Sequence, residues 1–272
     1  MYRGTALTIA GSDSGGGAGI QGDLKTFMSL GVFGTCVVTA VTAQNSTGVF
    51  HVENLSEKSV REQIRAVLDD FPVGAVKIGM LSSKGIIEAV AEELLGFRGP
   101  IVLDPVMVSQ SGHSLMEEGA QEALKGCLIP MAELITPNLP EGERLLNLPK
   151  GSLTAREMPE AASRLLELGA RGVLLKGGHL NGDRILDVLV TSQEEVLFED
   201  LRIDTVNDHG TGCALSSAIA AELAAGSDMK TAVTRGREFV RNAILSGAAL
   251  GKGHGCLGHH VRMPWTAGRS SE

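Results

Sequence analysis

The segment Asn207-Asp208-His209-Gly210-Thr211-Gly212-Cys213-Ala214-Leu215-Ser216 runs a glycine turn straight into an apolar helix with a thiol on its first turn. The first amides of a helix have no partner inside it, and they carry the positive end of the macrodipole, so anions bind there. Gly210 and Gly212 have no Cβ and let a phosphate approach the main chain, while the same field favours the thiolate of Cys213. The arrangement suits phosphoryl transfer. It also suits a small buried thiol under a glycine-rich cap, and the segment alone does not separate the two.

Other chemically capable residues fall where apolar runs end. Asp104 closes the run Ile101–Leu103, and Glu141 follows another in Thr136-Pro137-Asn138-Leu139-Pro140-Glu141. Two converging carboxylates suit Mg²⁺, which keeps several waters and takes one or two protein oxygens. Helix capping is the alternative for Asp104 and Asn138. Lys176 ends a buried run with a charge, which points to an anion outside it or to an ordinary surface lysine. Met80 and Met107 line a flat apolar slot or pack in the core. His209 serves as a base or as a turn residue, and the tail histidines have no credible metal partners.

Gly11-Ser12-Asp13-Ser14-Gly15-Gly16-Gly17-Ala18-Gly19 follows the first apolar run, and Gly17 to Gly22 spells G-x-G-x-x-G. The gap from strand to glycine is too long for a dinucleotide turn. The next strand ends in Thr42-Ala43-Gln44 where an acidic ribose partner belongs. A flexible loop against which a small substrate lies is the better reading. No G-x-x-x-x-G-K-[ST] segment occurs in the chain, which excludes a P-loop mechanism.

Short buried runs (Ala6–Ala10, Cys36–Val41, Ala75–Ile78, Ile101–Leu103, Glu133–Thr136, Gly172–Leu175) position these residues. They alternate with amphipathic helices over Asp23–Leu30, Glu57–Phe71, Lys84–Leu95, Glu118–Leu128 and Ala155–Leu168. Such alternation predicts a mainly parallel sheet with helices on both faces and ligands at the carboxyl ends of its strands. Arg184–Thr191 and Glu195–Ile203 form a hairpin at the sheet edge, and two helices, Gly212–Ala225 and Met229–Leu250, follow. Residues from Thr266 onward are expected to be loose.

At 272 residues, 43% hydrophobic and 21% charged, the chain is expected to form one globular domain over residues 1–272. A net charge of −8 argues against nucleic acid as a partner. The four cysteines, Cys36, Cys127, Cys213 and Cys256, lie far apart without metal spacing and point to free thiols in a cytoplasmic compartment. No segment approaches membrane-spanning length.

Taken together, Ala6 to Gln21, Thr42-Ala43-Gln44-Asn45, Lys77-Ile78-Gly79-Met80-Leu81, Asp104-Pro105-Val106, Thr136 to Glu141 and His209-Gly210-Thr211-Gly212-Cys213 closely resemble the hydroxymethylpyrimidine and phosphomethylpyrimidine kinases of thiamine biosynthesis. The resemblance runs nearly end to end and implies a ribokinase-like three-layer α/β/α fold. It also implies ATP-dependent phosphorylation of 4-amino-5-hydroxymethyl-2-methylpyrimidine, and then of its monophosphate, with ATP and Mg²⁺ required and a homodimer as the assembly. Carried over by resemblance, Gln44 reads the pyrimidine edge, while Gly11, Asp23, Met80, Val106 and Met107 are further substrate contacts. Asp104 and Glu141 organise Mg²⁺; Lys176, Asn138 and Thr211 serve the nucleotide; Gly210, Gly212 and Cys213 form the catalytic turn. Gly22, Gly142 and Asp208 depart from the family pattern, and Asp208 puts a negative charge near the anion site. The resemblance places a thiol where many ribokinase relatives carry Asp, which casts Cys213 as a base with a lowered pKa. Pyridoxal kinase is the rival activity, because pyridoxal is also a flat heterocycle bearing CH₂OH. A non-catalytic pyrimidine sensor is a more distant reading, disfavoured by the intact phosphate side.

Overall fold

The chain begins β1 (Thr5–Ala10), α1 (Gly19–Ser29), β2 (Phe33–Val38), β3 (Ala40–Asn45), β4 (Gly48–Asn54), α2 (Glu57–Leu68), β5 (Ala75–Ile78), α3 (Lys84–Leu94) and β6 (Ile101–Leu103). It continues α4 (Ala120–Ala123), β7 (Leu134–Ile135), α5 (Leu139–Leu145), α6 (Met158–Leu166), β8 (Gly172–Lys176), β9 (Arg184–Thr191), β10 (Glu195–Leu201), α7 (Thr211–Ala224) and α8 (Met229–Leu245). The computed structural model describes residues 1–108 and 115–266.

Among the described residues the strands form an eight-stranded sheet in the order β10-β9-β8-β7-β6-β5-β1-β2, and a separate two-stranded sheet, β3-β4. From β2 to β8 all pairings are parallel; β9 is antiparallel to both neighbours, as the edge hairpin requires. Strand alternation sorts the core. Leu7 and Ile9 of β1 join one apolar cluster with Val60 and Ile64 of α2 and Leu165 of α6, whereas Ala6 joins the opposite cluster with Phe27 of α1, Ile219 of α7 and Phe239 of α8. Period two along the strands thus meets helices on both faces, giving the three layers. Each fully buried aliphatic or aromatic side chain contributes about 1.5–3 kcal/mol. α7 lies so deep that residues 214 to 222 are all buried, which explains why its apolar residues show no stripe.

Several boundaries differ from the sequence reading: α1 starts at Gly19 instead of Asp23, α2 stops at Leu68 instead of Phe71, α6 starts at Met158 instead of Ala155, and others shift by more than a turn or change type. The run Cys36–Val41 is two strands, because Thr39 leaves the sheet: its amide donates to Ala10 O at 3.0 Å and its hydroxyl to Met80 O at 3.0 Å. The chain then turns out into β3 and β4, reversing where Asn45 Oδ1 accepts the Thr47 amide at 2.9 Å. Glu118–Leu128 is a short α4 followed by one wide π turn over Leu124–Leu128 and a 3-10 turn at Ile129–Met131. Pro130 has no N–H to continue a regular ladder there. α8 stops at Leu245, since Gly247 is packed against Asn207 and Ala248 pairs with Cys256. Residues 267–272, expected to be loose, lie outside the described residues, but Thr266 is held in a 3-10 turn by its 3.0 Å bond to Met263 O. No helix among the described residues is long and apolar enough to cross a membrane.

Candidate active site

β1 and β5 are neighbours whose onward connections leave on opposite sides, so a crevice opens at their carboxyl ends. A cavity of about 1090 Å³ occupies it. Gly11, Gln44, Met80, Val106 and Met107 line it, and so do Asp104, Asn138, Glu141, Lys176, Gly210, Thr211, Gly212 and Cys213. Beyond them an apolar wall of Ile185, Ile203, Leu215, Val240 and Ile244 carries no sequence motif and escaped the sequence reading.

The first glycine loop is pinned, not slack. The Asp13 carboxylate accepts the amides of Gly15, Gly17 and Ala18 at 2.8, 3.0 and 2.8 Å, and His209 Nε2 lies 3.1 Å from its Oδ2. Burial opposes the Asp13 charge, yet His209 and those amides outweigh it and hold the carboxyl below its ordinary range. A Cβ on Gly17 would overlap the His209 ring, and one on Gly210 would overlap Gly17 O. The two glycine loops therefore dock main chain to main chain, with Gly210 at φ +86° as the cap of α7. The first amide bonded within that helix is Ala214, to Gly210 O at 2.8 Å, so the Gly212 and Cys213 amides precede the ladder.

Lys176 reaches across to this helix end. Its Nζ is 3.0 Å from Asp104 Oδ1, and a Cβ on Gly212 would stand 3.4 Å from the same nitrogen. Burial works against the Lys176 charge, but Asp104 and Glu141 outweigh it and raise its pKa. Asp104 is further held by Thr136 Oγ1 at 3.1 Å and Ser216 Oγ at 3.3 Å. Burial opposes its charge too; Lys176 and Lys77 prevail and lower its pKa. Glu141 and Asn138 form a complete capping box on α5, with bonds of 2.8 and 2.9 Å, so the capping alternative holds for Asn138 while both residues still face the cavity. Burial and then the Asp104 charge raise the Glu141 carboxyl to about 7, against the pull of Lys176 and the Asn138 amide. Among the described residues there is no cluster of three or more His, Cys, Asp or Glu placed to hold a metal. The Asp104 and Glu141 pair fits an ion that keeps most of its waters, as Mg²⁺ does.

Two expectations change. Asp23, read as a substrate contact, lies behind the cavity wall with no exposed surface, its oxygens taken by Lys77, Thr8 and Ser217. Cys213 lines the cavity, but its thiol is not acidic. Burial, reinforced by the Asp23 and Asp104 carboxylates, pushes it up to about 11, despite Lys77 and the Gly19 amide that bonds it. Desolvation decides the direction. Asp13 and Lys77 were given no role by the sequence; only their fixed partners in space reveal one.

The phosphomethylpyrimidine kinase family model matches residues 13–258. The chain belongs to that family. It is 47% identical over 253 residues to the hydroxymethylpyrimidine/phosphomethylpyrimidine kinase of Streptomyces coelicolor, covering 93% of each. It is also 47% identical over 259 residues to the thiamine biosynthesis bifunctional protein ThiED of Geobacter sulfurreducens, of which it spans about half (52%) while 94% of this chain is matched. The solved ADP complex of Bacillus subtilis pyridoxal kinase superposes with a TM-score of 0.87 at 36% identity, covering 94% of this chain and 97% of that one.

Proposed function

We propose that residues 1–272 act as one kinase domain that phosphorylates 4-amino-5-hydroxymethyl-2-methylpyrimidine and then its monophosphate, both from ATP. The convergence of Lys176, the α7 amides and Gln44 on a single cavity carries this reading. Gln44 offers one acceptor and one donor, which matches the amino group and ring nitrogen of the pyrimidine edge. Met80 and Met107 supply the apolar faces for the ring.

In the first reaction the hydroxymethyl oxygen bonds the γ-phosphorus while the bond to the departing ADP oxygen breaks. Lys176 and the amides of Gly212 and Cys213 stabilise the charge on the moving phosphoryl group. The hydroxyl proton passes to Cys213 in its thiolate form. With a pKa of about 11 that form is scarce at neutral pH, but it is a strong base when present. Asp104 and Glu141 hold Mg²⁺, which when bound supplies positive charge against the phosphates. The second reaction needs no base, because a phosphate monoester is already largely ionised at pH 7, its second pKa being about 6.

We assign the protein to a reducing, cytoplasmic compartment, which its four unpaired cysteines support. A homodimer is supported by Val41 and Phe50, exposed by 49% and 69% on the β3-β4 sheet. Phosphorylation of pyridoxal is a second reading, supported by the 36% identity to a pyridoxal kinase. Purified protein given ATP and, in parallel, the pyrimidine alcohol, its monophosphate and pyridoxal decides between them. Diphosphate formation from the monophosphate is expected; turnover of pyridoxal alone overturns the pyrimidine reading.

A further inference from the structure

Lys77, the penultimate residue of β5, has no exposed surface, yet it forms part of the cavity lining. Its Nζ is 2.8 and 3.0 Å from the two oxygens of Asp23, which also accept from Thr8 Oγ1 at 2.6 Å and Ser217 Oγ at 2.6 Å. The cluster therefore ties β1, α1, β5 and α7 together at one point. Ser217 lies one turn after Cys213 on the same face of α7, so the face of α7 that carries Cys213 is the one its bond to Asp23 turns toward the ion pair. A Cβ on Gly79 would stand 2.7 Å from the Lys77 nitrogen, which places the ammonium directly under the strand end that leads to Met80.

A buried ion pair is a poor means of gaining stability, since apolar side chains of similar volume often do as well or better. Its worth here lies in where it puts charge. Burial works against the Lys77 charge, but Asp23 above all, with the Cys213 sulfur and Asp104, outweighs it and keeps the pKa raised, so the ammonium stays charged.

We propose that Lys77 is a positioning residue for transfer to the alcohol: a cation clamped by Asp23 beneath Cys213, which faces the negative charge that gathers there as the hydroxymethyl proton leaves. The proposal rests on the kinase reading above. When the acceptor oxygen bonds phosphorus and ADP departs, the proton moves to the Cys213 sulfur, and the charge shared between oxygen and sulfur lies over Lys77. Transfer to the monophosphate moves no such proton and draws less on this cation.

Two variants test it, Asp23→Asn alone and Asp23→Asn combined with Lys77→Met; because both carry the amide in place of the carboxylate, neither leaves a buried carboxylate unpaired. Relative to Asp23→Asn, the double variant is expected to lose roughly 10–100-fold more in kcat on the alcohol than on the monophosphate. Equal losses in the two reactions, or loss in KM alone, overturn the proposal and leave a purely architectural pair. If Lys77→Met does not fold, Lys77→Gln takes its place in the double variant. Cys213 alkylation by iodoacetamide at pH 8, read by peptide mapping, should run slower in the double variant than in Asp23→Asn, because only the ammonium separates the two; an equal or faster rate overturns the proposal. Wild-type protein inactive on both pyrimidines would remove the kinase reading, and the alkylation result would still judge Lys77.

Discussion

His209 Nε2 and Asp13 Oδ2 stand 3.1 Å apart, and this contact joins the loop after β1 to the turn that caps α7. Asp13 holds three amides of its own loop, so one carboxylate orders the first glycine loop and, through His209, the turn that caps α7. Gly17 lies between them and has no room for a side chain. Gly17→Ala is therefore expected to force the loops apart, lowering stability by about 1–3 kcal/mol, as overpacking of a tight contact does. Urea unfolding measures the first effect, and steady-state kinetics should show kcat falling for both substrates. A stable, fully active variant would mean the loops separate without consequence.

Replacing Cys213 by Ala separates the two reactions. Loss of a general base typically removes about 10²–10⁴-fold of rate, and that loss is expected for the alcohol while the monophosphate reaction suffers far less. Because the thiol is pushed up to about 11, the wild-type rate on the alcohol should also climb with pH across the neutral and mildly alkaline range. Single-turnover rates on both substrates check this. Equal losses would show that Cys213 acts through packing or the shape of the anion site.

How much of this was legible in the chain depends on whether the cause was local. β1, β5, β6 and β8 announce themselves as apolar runs, since a strand buried on both faces has no polar side to show. β3 and β4 do not, because Thr42-Ala43-Gln44 reads as the end of the preceding strand and Gly48–Asn54 has no continuous apolar run, so the hairpin shows only in the pairing. The glycine turn that caps α7 was visible from its glycines and thiol, yet the acidity inferred for Cys213 was wrong in sign: the helix end is written locally, whereas burial and the Asp23 and Asp104 charges come from distant parts of the chain. Asp23 was a substrate contact by resemblance alone, and Lys77 read as nothing in particular, because the pair they form joins residues 54 apart in the chain.

Lys176→Met should be more damaging than an ordinary surface change. It leaves Asp104, 1% exposed, without its nearest cation, although Lys77 still offsets part of the charge. Removing one member of a buried pair costs about 3–5 kcal/mol. Loss of stability below that range on thermal or urea unfolding would show that Lys77 alone suffices for Asp104. Asp104→Asn in the same chain is expected to restore stability but not turnover, since the cation at the Gly212 end of α7 remains absent.

The Glu141 carboxyl supplies a dependence on pH with a definite sign. Its folded pKa of about 7 lies above the ordinary 4.5, so the folded protein binds a proton here that the unfolded chain has released between those values. For the protein without ligands, this group's contribution to stability is fully present below about 4.5 and is lost as pH rises through about 7. A divalent cation beside Asp104 and Glu141 competes for the same site, so Mg²⁺ should bind more weakly below pH 7 and displace protons as it binds. Isothermal titration of the wild type with Mg²⁺ and a non-hydrolysable ATP analogue, in buffers of different ionisation enthalpy, counts the protons released. Glu141→Gln should abolish that release at pH 6.5 and flatten the pH dependence of Mg²⁺ affinity. A variant that still releases protons would move the titrating group elsewhere and remove Glu141 from the metal site.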